Sequence, residues 1–324
     1  MAKGKVTVMY NIGIDLGGTN IAAGLVDENH KIIRKESCDT KADRHADEIV
    51  KDMASLCRKL CGDEGIDISE IGTVGIATPG TANRDLGVVI YANNLPFLNY
   101  PISEKLAELL PVRNIVIAND ADAAALGEAV AGAGKGEKDF IMITLGTGVG
   151  GGIIIENKLY SGFNFAGGEL GHMVIVHGGR PCTCGRKGCW EAYSSATGLI
   201  RMTKEKMEQC RDSAMWAEVD GDIEKVNGRT SFDCMRKGDK AAKEVVDTYL
   251  EYLATGTANI INIFQPSVLA FGGGISNERE NLLAPLRALI EKETYGSNNE
   301  SKTQLKIAEL RNDAGIIGAA ALTK

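Results

Sequence analysis

Two glycine-rich turns, Asp15–Asn20 (DLGGTN) and Leu145–Gly151 (LGTGVGG), constrain this chain more than any other feature. Each lies between two short apolar runs: Tyr10–Asp15 leads into Ile21–Asp27, and Phe140–Leu145 into Gly152–Ile155. Apolar runs punctuated by glycine read as strand, tight turn, strand. The second turn satisfies G-x-G-x-x-G, but a dinucleotide-binding fingerprint needs a helix N-terminus after the glycines to receive the pyrophosphate. Here Ile153–Ile155 and the turn residues Glu156-Asn157 follow, so the segment is expected to be a hairpin. No G-x-x-x-x-G-K-[ST] is present, and Gly134-Lys135-Gly136 lacks the hydroxyl residue that would hold a metal.

Glycine in such a turn lets backbone amides approach an anion, and Thr19 and Thr147 add hydroxyl donors at the same place. Phosphate is the natural ligand. Asp15 would repel it unless a divalent cation or its water shell lay between, so the carboxylate implies a magnesium nucleotide. The plainer alternative is a turn-capping carboxylate and glycines that merely turn. The segments Asp15–Asn29 and Thr144–Asn157 also share Leu-Gly, Gly-aliphatic-aliphatic and Glu-Asn. This suggests two halves of similar design, although any two glycine-rich strand turns look alike and the pair alone does not decide.

A chain of 324 residues suggests two domains at about 150 residues each. The formal net charge is −7 and no basic run occurs, which sets nucleic acid aside as principal ligand. Glycine (39) is abundant but proline (7) is scarce, unlike disordered or collagenous chains. The opening Met1–Asn11 has no apolar core and no run approaches ~18 apolar residues, so a cytoplasmic protein without a membrane partner is expected.

Helix and strand alternate. Lys31–Glu36, Thr73–Ala77, Asn114–Ala118 and Val268–Phe271 read as further strands, and Gly87–Tyr91 as part of a hairpin. Asp43–Cys61, Ile102–Leu110, Glu191–Gln209, Ala241–Phe264, Glu280–Glu293 and the Ala/Gly-rich Ala314–Leu322 read as helices, and Ser161–Gly188 as loop. Asn119-Asp120 falls where a strand gives way to the helical Ala121–Ala131, a position that faces clefts in α/β sheets. A carboxylate there can take the proton of an attacking hydroxyl, or simply cap the helix.

Five of the eight cysteines (Cys38, Cys57, Cys61, Cys210, Cys234) are scattered, whereas Cys182, Cys184 and Cys189 cluster. With an upstream histidine they offer the ligand set of a closed zinc site, with redox chemistry as the competing reading. C-x-C lacks the two-residue spacer of thioredoxin-type motifs, and Gly185 and Gly188 supply turns for a metal knuckle. His172 and His177 both compete as fourth ligand. His30 and His45 sit in polar surroundings and read as surface residues.

Asp15-Leu16-Gly17-Gly18-Thr19, the Leu145–Gly152 hairpin and Gly272-Gly273-Gly274-Ile275-Ser276 resemble the two phosphate loops and the adenosine loop of the sugar-kinase, heat-shock-chaperone and actin superfamily. Within it, from about residue 10 to the C-terminus, the chain resembles the ROK family (repressors, open reading frames, kinases), most closely its bacterial glucokinases.

The resemblance implies an α/β, two-lobed actin-like (ribonuclease H-like) fold: a smaller lobe of residues 1–118 with 312–324 packing back on it, and a larger lobe of 119–311 carrying a zinc motif and a dimerisation surface. It implies ATP-dependent phosphorylation of a hexose, most closely glucose in glycolysis, with ATP, Mg2+ and structural Zn2+, in a homodimer or homotetramer. It makes Asp120 the catalytic base and assigns nucleotide contacts to Asp15, Gly17, Gly18, Thr19, Asn20, Thr147, Gly148 and Gly273. Gly80, Asn94, Asn119, Asp120, Glu169, His172 and Glu191 match sugar-contacting positions, with His172, Cys182, Cys184 and Cys189 as the zinc ligands.

One departure bears on the sugar: many family glucokinases continue Pro-Gly-Trp after Asn-Leu, and this chain has Pro96-Phe97-Leu98. N-acetylmannosamine, allose, mannose and fructose are the alternative substrates, and polyphosphate an alternative donor. The family's repressors add an N-terminal helix-turn-helix domain, and the 14 residues before Asp15 are too few for one. A sugar-sensing regulator without that domain, or a filament or chaperone ATPase, is the competing class; the latter would have no use for the zinc motif or the acceptor residues.

Overall fold

The computed structural model describes residues 9–296 and 298–323, so Met1–Val8 of the opening segment lie outside the described residues. In chain order the elements are β1 (Asn11–Leu16), β2 (Asn20–Val26), β3 (Ile32–Asp39), α1 (Ala46–Asp63), β4 (Thr73–Thr78), β5 (Thr81–Asn83), β6 (Val88–Tyr91), β7 (Leu98–Tyr100), α2 (Ile102–Ala107), β8 (Asn114–Asn119) and α3 (Asp120–Ala131). There follow β9 (Phe140–Leu145), β10 (Val149–Ile155), β11 (Lys158–Tyr160), α4 (Glu191–Ser194), α5 (Ala196–Gln209), α6 (Met215–Glu218), α7 (Thr230–Arg236), α8 (Lys240–Phe264), β12 (Val268–Gly272), α9 (Glu280–Glu293), β13 (Gln304–Ile307) and α10 (Ala314–Ala321). A strand follows each glycine turn, as expected. No helix among the described residues is long and apolar enough to cross a membrane.

The chain forms two compact units. The first comprises residues up to Lys138, Gly152–Gly168 and Glu309 onward; the second comprises Asp139–Gly151 and Glu169–Ala308. In the first, a mixed sheet has the order β3-β2-β1-β4-β8. β1 pairs antiparallel with β2 and parallel with β4, which is parallel to β8. Side chains alternate between its faces. Ile12, Ile14, Val74, Ile76, Ile115 and Ile117 join Ile49 and Met53 of α1 in one core, while Ala77, Val116 and Ala118 join Ala123 of α3 and Ala319 of α10 in another.

Glycine lets α10 settle onto that second face. A Cβ on Gly13 would lie 1.8 Å from the Ile316 carbonyl oxygen, one on Gly75 1.8 Å from that of Ala319, and one on Gly318 1.7 Å from that of Ala123. The chain entering α10 is anchored by the buried Glu128 carboxylate, which accepts from the amides of Ala133 (2.8 Å), Glu309 (3.0 Å) and Leu310 (2.6 Å). A buried carboxylate survives only with such donors. This packing keeps α3 with the first unit, which therefore runs past residue 118. Gly152–Gly168 joins it as well, because Gly152 abuts Ala125 of α3, where a Cβ would sit 2.3 Å from the alanine methyl. β10 and β11 meet there in a two-residue hairpin with positive φ at Glu156 and Asn157.

In the second unit β9, β12 and β13 run parallel in that order, the same relation that β1, β4 and β8 bear to one another. The helical stretch expected at Glu191–Gln209 is two helices. Ser195 leaves helical geometry and caps α5, its hydroxyl accepting from the Gly198 amide at 3.0 Å.

Candidate active site

In the first unit the turn after β1 closes through the Gly17 amide, which donates to the Asn20 carbonyl at 2.9 Å. Two further carbonyls of this turn are held from behind by Thr40: its hydroxyl donates to Gly17 O at 2.7 Å and its amide to Thr19 O at 2.9 Å. The Thr19 and Asn20 side chains face solvent. Asp15, the penultimate residue of β1, has its pKa raised to about 6, first by burial and then by the negative charge of Asp120, with Lys35 opposing. Gly315 of α10 abuts this carboxylate, and a Cβ there would lie 2.9 Å from Asp15 Oδ2. A buried carboxylate held close to another is a natural seat for a cation.

Asn119 resolves the question of the helix cap. Its Oδ1 accepts from the Ala121 amide at 2.8 Å and the Asp122 amide at 3.4 Å, so Asn119 caps α3. Its Nδ2 donates to the Gly80 carbonyl at 2.9 Å. Asp120 also accepts from the Ala121 amide, through Oδ1 at 2.8 Å, and its own amide and the Asn119 side chain hydrogen-bond to the carboxylate as well. Desolvation by the surrounding protein raises the Asp120 carboxyl above its ordinary value, with the amides opposing. Gly80 has φ of 86°, and a Cβ there would lie 2.0 Å from the Tyr91 carbonyl oxygen, so only glycine fits. Asn94 lies against the glycine turn, since a Cβ on Gly18 would be 3.3 Å from its own. The departure at Pro96-Phe97-Leu98 places Phe97 in the core, ring centroid 5.1 Å from Tyr100, and leaves Leu98 exposed.

In the second unit the turn after β9 closes through the Gly146 amide on Gly148 O at 3.0 Å, with Ala196 N on Gly146 O and Thr197 Oγ1 on Thr147 O, both at 2.8 Å. Glu191 reaches this hairpin: its Oε2 accepts from the Val149 amide at 3.1 Å, and a Cβ on Gly148 would lie 2.3 Å from that oxygen. Gly171, at the centre of Glu169–His172, is pressed onto the Val149 carbonyl, where a Cβ would lie 2.1 Å away. Glu169 is exposed and His172 half-buried. Gly273, φ 82°, opens the turn after β12 and packs on Leu145, whose carbonyl oxygen a Cβ would approach to 2.5 Å.

The ligating atoms of His172, Cys182, Cys184 and Cys189 lie within 4.8 Å of one another. His172 Nδ1 is 3.7 Å from the Cys182 sulfur, and the sulfurs of Cys184 and Cys189 are 3.6 Å apart. A tetrahedral zinc with bonds of about 2.3 Å spaces its sulfurs about 3.8 Å apart, so the cluster has the right size and donor set. Burial and the adjoining thiols raise Cys189, which disfavours its thiolate unless a cation compensates. His177 is not in this group, and His45 caps α1. Thr40 and Thr197 escaped the sequence reading because nothing local marks them; only their partners across the fold do.

Residues 11–324 match the ROK family. The chain is 37% identical over 319 residues to a glucokinase of Streptomyces coelicolor, covering 97% of each. It is 35% identical over 314 residues to a glucokinase of Thermotoga maritima, covering 97% of this chain and 96% of that one. Among solved structures, a ROK family glucokinase from Streptomyces griseus in complex with glucose and AMPPNP is 35% identical with a TM-score of 0.77, covering 97% of this chain and 99% of that one.

Proposed function

The chain belongs to the ROK family, and from that premise we propose that it transfers the γ-phosphoryl group of ATP to glucose, forming glucose 6-phosphate, with Asp120 as general base. It is an ATP-dependent phosphotransferase of the hexokinase type. The observation that carries the role of Asp120 is the capping of α3 by Asn119, whose Oδ1 accepts from the Ala121 and Asp122 amides, so that the helix does not need the Asp120 carboxylate as its cap. A carboxyl held above its ordinary pKa is also a stronger base for a hydroxyl proton.

The glycine turns at Gly17–Asn20 and Thr147–Gly148 would bind phosphate through amides, and the turn that Gly273 opens after β12 would contact the adenosine. Mg2+, when bound, neutralises charge on the phosphates. Asp15 would hold it through its water shell, and a cation there would return the carboxyl to its ionised form. Gly80, Asn94, Asn119, Glu169, His172 and Glu191 carry groups suited to sugar hydroxyls, each of which both donates and accepts. His172, Cys182, Cys184 and Cys189 would hold a structural Zn2+, a cross-link that fixes the segment bearing Glu169 and Glu191. His172 would then use Nδ1 for the metal and Nε2 for the sugar.

The finer fold assignment is a duplicated ribonuclease H-like, actin-like architecture. Its support is the order β3-β2-β1-β4-β8 and the matching parallel relation of β9, β12 and β13. Pro96-Phe97-Leu98 favours keeping a second substrate reading, phosphorylation of another hexose such as mannose, allose, fructose or N-acetylmannosamine. ADP release measured over this panel tests both: glucose should give the highest kcat/KM. A tenfold better sugar would move the substrate, and no release with any sugar would overturn the kinase reading.

A further inference from the structure

A turn that binds phosphate must present amides and turn its carbonyl oxygens elsewhere, since an oxygen facing an anion repels it. Both glycine turns do this by the same device. In the first unit Asn20 pairs with Asp39 across β2 and β3, which brings Thr40 beside the turn. Thr40 is fully buried; its hydroxyl and amide hold the carbonyls of Gly17 and Thr19, while its own carbonyl accepts from Arg44 Nε at 3.0 Å. In the second unit the break at Ser195 delivers Ala196 and Thr197 to the other turn, where the Ala196 amide holds Gly146 O and the Thr197 hydroxyl holds Thr147 O. The amides of Gly18, Thr19, Thr147 and Gly148 take no partner among the described residues.

We propose that Thr40 and Thr197 are positioning residues for nucleotide phosphate, each turning the carbonyls of its glycine turn away from the anion so that the free amides face it. The proposal rests on the kinase reading. It assigns to two residues outside the glycine motifs a role in nucleotide affinity and none in sugar affinity. Valine keeps the branched shape of threonine and removes only the hydroxyl donor; serine keeps the donor.

The test is calorimetric titration of the full-length protein with a non-hydrolysable ATP analogue plus Mg2+, and separately with glucose, for wild type, Thr40→Val, Thr197→Val and the two serine variants. Each valine variant should weaken nucleotide binding about three- to tenfold, the scale of one hydrogen bond. Glucose affinity should stay within about twofold, and the serine variants should bind nucleotide like wild type. Unchanged nucleotide affinity in both valine variants would overturn the proposal. So would a parallel loss of nucleotide and glucose affinity with a lowered melting temperature, which would make the threonines general supports of the fold. A wild-type protein that binds no nucleotide would overturn the kinase reading itself, and the proposal with it.

Discussion

The carboxylate of Glu191 accepts a hydrogen bond from the amide of Val149 at 3.1 Å. A residue proposed for sugar recognition is thereby fastened to the hairpin proposed for phosphate. Trp190, fully buried with its indole N–H donating to the Tyr252 carbonyl at 3.0 Å, fixes the chain just before Glu191. Gly148 is required at this junction for a reason other than phosphate: its missing side chain is the space that the carboxylate occupies.

Gly148→Ala should therefore injure both substrates. A methyl group 2.3 Å from Glu191 Oε2 forces the carboxylate away from Val149. Steady-state kinetics should show KM raised at least about tenfold for glucose as well as for ATP, since losing a charge-assisted hydrogen bond and its geometry is worth more than about 1.4 kcal/mol. A rise in the ATP KM alone would separate Glu191 from the sugar.

Asp15 should leave a signature in the pH dependence of stability without ligands. Its carboxyl titrates near 3.8 unfolded and near 6 folded, so between these values the folded state binds more protons than the unfolded. Stability from this group is present below about pH 4 and is lost as pH rises to about 6. Asp15→Asn should flatten that fall and leave the ligand-free protein about 2–3 kcal/mol more stable at pH 7. Denaturant unfolding at pH 4.5 and pH 7 checks it; a variant with the same pH slope as wild type would contradict the shift.

Removing zinc should act through position rather than chemistry. Cys184→Ser, or chelation followed by resupply of Mg2+, should lose about one zinc per chain by elemental analysis and lower the melting temperature. Glucose affinity should fall because His172 and Glu169 lose their anchor. A chain shown to be metal-free that retains full glucose affinity would contradict this role.

The glycine turns and the cysteine cluster were legible in the sequence because their signals are local. Asp15–Asn20, Leu145–Gly151 and the cysteine cluster announce themselves because glycine, threonine and cysteine at close spacing have few other uses. What stayed hidden depends on distant segments meeting. The limit of the first unit at Lys138 follows from α10 seating its carbonyls on Gly13, Gly75 and Gly127, which no local pattern encodes. The break at Ser195 looks like an ordinary helical residue until its cap and the turn it serves are seen together. The short strands β5, β7, β11 and β13 carry too few residues to show a period. The choice between Asn119 and Asp120 as cap turned on which oxygen faces the Ala121 and Asp122 amides, a matter of geometry rather than residue type.

That choice carries the central claim, and Asp120→Asn tests it most directly. Asparagine keeps the size of the side chain and cannot take the proton of the attacking hydroxyl, while Asn119 still caps α3. With glucose and MgATP saturating, kcat should fall at least about 10²-fold, with glucose affinity by titration and melting temperature close to wild type. A variant that keeps near-normal kcat would show that the carboxylate at position 120 does not act as the base.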